Sequence, residues 1–94
     1  VFCYMEEIMN KEILENREQI DAADEQIFDL LLKRLDAVTA IGHIKKQEGL
    51  PVLDQERENA IYAKIDVRFS AAEASFLKSI YQSIITESKK VEEL

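Results

Sequence analysis

Arg17, Arg34 and Lys45 stand on a helical seam where leucine is expected. They fall on the same alternating three- and four-residue steps as the apolar positions, so the full seam reads Ile13, Arg17, Ile20, Asp24, Ile27, Leu31, Arg34, Val38, Ile41, Lys45. A charge on a packing face is costly unless it is paired. Asp24 can neutralise one cation, and the rest ask for an anion. A second group lies in "PVLDQERE", residues 51–58, which holds Asp54, Arg57 and Glu58. Glu58 precedes Ile61 and Tyr62 by three and four residues and shares their inner stripe. Ser88 and Glu92 continue the line of Tyr81 and Ile85. Three segments thus place polar groups on faces that otherwise pack, and the chemistry they suit is capture of a small anion that also carries hydroxyl or ether oxygens. Taken singly, each cation has a plainer explanation: it snorkels to water, or it fixes the register of a packed seam. That explanation has to be repeated for each of the three, whereas one ligand accounts for all.

The elements that position these groups are helices. Two glycines and one proline among 94 residues leave little room for the turns of a sheet. From about Glu6 to Lys46 the one helix-weakening residue is Gly42, at about 1 kcal/mol relative to alanine. "QEGLP" ends that helix: Gly49 suits the C′ position and Pro51 forbids continuation. Asp54 is placed to N-cap a short second helix running to roughly Ile65. Ser70, with Glu73 three residues on, predicts a capping box at the start of a third, whose stripe is Leu77, Ile80, Tyr81, Ile84 and Ile85. The chain is expected to be a single all-α domain over 1–94, with 1–9 a potential N-terminal extension and Met5 or Met9 a potential start.

A helix of about 40 residues is roughly 60 Å long, whereas a compact chain of this length has a radius of gyration near 12 Å. The residues that follow cannot cover the first helix, so the pattern predicts a second copy in an intertwined antiparallel homodimer of three-helix chains. Arg34 and Lys45 lie about 16 Å apart along the helix axis and can close on one small molecule, while Arg17 is about 25 Å beyond Arg34. If two antiparallel helices cross near Ile27–Phe28, the partner subunit's Arg17 falls opposite the Arg34–Lys45 interval. The pattern therefore predicts two shared sites.

Arg17, Arg34, the "GHIK" ending at Lys45, the "PVLDQERE" block, Ser88 and Glu92 together resemble the all-helical (AroQ-type) chorismate mutases, over roughly residues 10–93. The resemblance implies an intertwined dimer in which each site borrows one arginine. It implies rearrangement of chorismate to prephenate on the route to phenylalanine and tyrosine, with no metal or other cofactor. By resemblance, Arg34 grips the side-chain carboxylate and the partner subunit's Arg17 the ring carboxylate, with Ser88 and Arg57 assisting. Glu58 accepts a hydrogen bond from the substrate hydroxyl, and Asp54 shapes that corner. Lys45 and Glu92 face the ether oxygen. Many members carry glutamine at the last position, whereas fungal relatives carry glutamate. A carboxylate cannot donate a hydrogen bond, so Glu92 contributes only when it holds a proton.

Composition narrows the alternatives. A net charge of −7 opposes non-specific binding to nucleic acid or an anionic membrane. No apolar run has the length of a membrane span, and the N-terminal residues lack the basic start of a secretory signal; a soluble cytoplasmic protein is the expectation. The lone Cys3 excludes an internal disulfide framework and is taken as incidental. His43 has no Cys, His or Asp at a ligand spacing and is expected to face solvent. Two rivals stay open: an isochorismate-pyruvate lyase on the same fold, and a non-catalytic helical dimerisation module whose seam charges set partner choice.

Overall fold

The structure, a computed structural model, describes residues 10–94. Cys3, Met5, Met9 and the expected helix start at Glu6 lie outside them. The described residues form three α-helices and no strand: α1 (Lys11–Glu48), α2 (Gln55–Arg68) and α3 (Ala71–Glu92). The chain divides into two compact units, Val1–Arg34 and Leu35–Leu94.

In the first unit the described chain is the start of α1. Asn10 caps it: its Oδ1 accepts the Ile13 N–H at 3.2 Å, satisfying one of the donors that a helix start leaves open. The seam residues Ile13, Ile20, Ile27 and Leu31 are exposed within the single chain, as are Phe28 and Leu30.

In the second unit the end of α1 and the starts of α2 and α3 are closed by the devices their sequence encodes. Gly49 takes φ 67°; its N–H bonds to the Lys46 carbonyl at 3.4 Å, and the Leu50 N–H bonds to the Lys45 carbonyl at 2.8 Å. This pair of bonds is a Schellman motif, which depends on a residue free to adopt the left-handed region. Asp54 accepts the Arg57 N–H at 3.0 Å. Ser70 and Glu73 exchange side-chain-to-backbone bonds of 3.0 and 3.2 Å in a full capping box. Hydrogen bonds from the Ser70 backbone and side chain hold the Glu73 carboxyl below its ordinary value of 4.5.

α2 packs on α3, with Ile65, Ala74 and Ile85 buried. Burying the two isoleucines contributes about 3–6 kcal/mol. Lys78 and Asp66 tie the pair at 2.8 Å, an exposed bridge of small energetic weight. α2 continues to Arg68, beyond the Ile65 suggested by its stripe. Its last turn carries Val67 and Arg68 toward solvent, and Phe69, extended at φ −128° and ψ 160°, donates its N–H to the Ile65 carbonyl.

Candidate active site

Within the Leu35–Leu94 unit, the last turns of α1 meet the last turns of α3. Gly42, the buried residue of α1, brings the two backbones together. A Cβ at Gly42 would lie 3.0 Å from the Glu92 Cα and 3.4 Å from its carbonyl oxygen. The absence of a side chain is what permits this approach.

One turn beyond Gly42, Lys45 Nζ stands 2.7 Å from Glu92 Oε1, and both side chains are largely covered, at 19% and 11% exposed. The Glu92 oxygen is shut off from solvent and makes no directed hydrogen bond, so its attraction to Lys45 is one of charge. Lys45 also donates to the Val52 carbonyl at 3.0 Å. An ammonium group has three donors. The geometry therefore supplies a fixed cation with capacity for a ligand oxygen, beside a group that can donate once protonated.

Glu58, in the first turn of α2, lies 3.1 Å from Lys89 on α3, with 15% of the Glu58 side chain exposed. Lys89 and Glu92 are three residues apart and so neighbours on one helix surface, with Cβ atoms about 5–6 Å apart. Two ion pairs, Lys45–Glu92 and Glu58–Lys89, thus flank the C-terminal turns of α3 and balance in charge. Ser88, on the same helix, is half-buried and donates its hydroxyl to the Ile84 carbonyl at 2.7 Å. Asp54 is committed to its cap, and Arg57 is exposed at the same helix start.

Arg17 and Arg34 belong to the Val1–Arg34 unit. Arg17 is exposed within the single chain and Arg34 half-buried, and both engage neighbours. The structure thus brings Lys45 to Glu92 and gives Glu58 a partner. His43 is exposed, as expected. No cluster of three metal-ligating side chains occurs among the described residues, and no described helix is long and apolar enough to cross a membrane.

Sequence reasoning missed three contributors. Gly42 registered as a tolerated weakness rather than a close approach, although an isolated glycine on a packing face is itself such a signal. Lys89, between Ser88 and Lys90, has the look of a solvated helix end. The Val52 carbonyl is main chain, to which side-chain patterns are blind.

Comparison with known proteins places this geometry. A profile described as chorismate mutase type II matches residues 16–93. The T-protein of Enterobacter agglomerans is 42% identical over 55 residues, 58% of this chain and 15% of that protein's length. The chain thus spans a small part of that relative. The 4-amino-4-deoxychorismate mutase of Streptomyces venezuelae is 31% identical over 81 residues, covering 83% of this chain and 78% of the relative. A solved structure, a conserved hypothetical protein from Pyrococcus furiosus, matches with a TM-score of 0.74 at 34% identity, covering 88% of this chain and 97% of that one. With the profile matched through both the cationic seam and the Lys45–Glu92 pair, the chain belongs to the chorismate mutase type II family.

Proposed function

We propose that the chain catalyses the intramolecular [3,3] rearrangement of chorismate to prephenate, as a homodimer with two shared sites. The observation that carries this reading is the covered Lys45–Glu92 pair, 2.7 Å apart and set by the glycine contact at Gly42. In the reaction a C–O bond breaks as a C–C bond forms within one molecule. The protein supplies no nucleophile; it has to fold a flexible dianion into its reactive shape and stabilise the negative charge that grows on the ether oxygen. Lys45 is the cation for that oxygen, and Glu92, paired with Lys45 before ligand binds, serves as its second donor only on taking up a proton. Arg34 clamps the side-chain carboxylate and the partner subunit's Arg17 the ring carboxylate, because guanidinium groups fork onto carboxylates. Arg57 and Ser88 assist, Asp54 holds the start of α2, and Glu58 accepts from the substrate hydroxyl.

The homodimer is supported by the bare apolar face of α1. Ile13, Ile20, Ile27 and Leu31, which share one face of the helix, are 41%, 56%, 48% and 40% exposed within one chain, and exposed apolar positions repeated along one face mark an interaction surface. A second copy of the same seam covers it and delivers the borrowed arginine.

The Streptomyces venezuelae relative is named for a substrate with an amino group in place of a hydroxyl. The 4-substituent is therefore the point that separates the two substrates, and the hydroxyl compound, chorismate, is the one that Glu58 suits as an acceptor. Incubation of the purified protein with chorismate, with identification of the product, tests the reaction. Prephenate is expected. Release of pyruvate from isochorismate without mutase turnover would show a lyase, and no turnover, together with no thermal shift from a dianionic transition-state mimic, would leave a dimerisation module.

A further inference from the structure

We infer that Lys89 is a specificity-determining residue that selects a neutral hydroxyl, and rejects an ammonium, at the substrate position facing Glu58. The inference rests on the chorismate reading above and on one contact, Lys89 Nζ to Glu58 Oε1 at 3.1 Å between α3 and α2. A bare carboxylate in a ligand site favours a cation. Glu58 is not bare: Lys89 already neutralises it, and its place in the first turn of α2 adds the positive end of the helix dipole. A carboxylate has about four acceptor positions, so Lys89 leaves room for one more donor but offsets the charge that would attract a second cation.

The two substrate types respond differently. A hydroxyl donates to Glu58 and carries no charge for Lys89 to oppose. An alkyl amine is protonated at neutral pH, as a lysine side chain is. Placed on the same carboxylate, it would lie about 5–6 Å from the Lys89 ammonium, with like-charge repulsion at that range. Lys89 is 36% exposed, so water screens part of the effect. The discrimination expected from Lys89 is about ten- to a hundredfold in relative kcat/KM. Lys89 acts through Glu58 and touches no reacting atom.

The test compares chorismate with 4-amino-4-deoxychorismate on the wild-type dimer, Lys89→Gln and Lys89→Arg. Glutamine can still donate to Glu58 and so keeps the fold contact without the charge; arginine keeps both. Wild type should prefer chorismate. Lys89→Gln should lower the chorismate-to-amine ratio of kcat/KM at least about tenfold, mainly by raising turnover of the amine, and Lys89→Arg should keep the wild-type ratio. An unchanged ratio in Lys89→Gln overturns the inference, as does an equal loss on both substrates or a wild type that prefers the amine. Those outcomes leave the mutase reading standing. Turnover of neither substrate by wild type removes that reading and this inference with it.

Discussion

Gly42→Ala adds a single methyl group at the closest approach of α1 and α3. The new Cβ would stand 3.0 Å from the Glu92 Cα, where ordinary contact is 3.4–4 Å. The backbones have to separate by a few tenths of an ångström, because the nearest atoms met are main chain. Lys45 lies one turn on, so the separation acts on its 2.7 Å contact with Glu92. A misplacement of about 1 Å can cost about a hundredfold in rate; for this smaller shift kcat/KM should fall about tenfold, or about 1.4 kcal/mol. Stability should change less. Overpacking costs about 1–3 kcal/mol, and alanine returns about 1 kcal/mol of helix propensity. The assay is chorismate turnover beside a thermal melt, repeated in a Glu92→Ala background. If Gly42 acts through the pair, most of its effect vanishes there. Wild-type turnover in a folded Gly42→Ala protein would refute the reasoning.

Four other outcomes follow from the geometry. Arg34→Ala should remove several kcal/mol of transition-state stabilisation, and a loss under about tenfold would contradict its place as the central clamp. Glu92→Gln should keep or raise turnover, because an amide donates where a carboxylate cannot, whereas Glu92→Ala should lose at least about tenfold; wild-type turnover in Glu92→Ala would deny Glu92 its role. Mixing Arg17→Ala with Lys45→Ala subunits should recover about a quarter of wild-type activity, since a random pairing leaves one intact site in each heterodimer; no recovery on subunit exchange would argue against shared sites. Ser70→Ala should cost about 1 kcal/mol in denaturant melts. Because folding depresses the Glu73 pKa below 4.5, the contribution of Glu73 is complete above its unfolded value and lost as pH falls through the folded one. The Ser70→Ala protein should lose less stability than wild type over that acid interval.

What the sequence disclosed was local. Gly49, Asp54 and the Ser70–Glu73 box each act within a few residues, so composition and spacing suffice to place them. The end of α2 was less legible because Val67 faces water and gives no stripe to extend. The Lys45–Glu92 pair was legible where charge broke an apolar pattern: both residues stand on faces that otherwise pack, and the structure joins them. Glu58 was suspected too, but its partner was not, since Lys89 is 31 residues away and nothing in its neighbourhood marks it. Gly42 shows the opposite failure. Its importance lies in an atom it lacks, and propensity scores that lack as a weakness.

The turn after α1 governs Lys45 at both of its ends. The Lys45 carbonyl accepts from the Leu50 N–H, and the Lys45 ammonium donates to the Val52 carbonyl. Ordering a free lysine side chain costs about 1.5–2 kcal/mol, and here that ordering is complete when the chain folds, before any ligand arrives. If Lys45 has the role proposed for it, the connector from Gly49 to Leu53 is an adjustment screw: lengthening or stiffening it would move the ammonium without altering a residue that touches the substrate, so that rate is tuned from a surface loop.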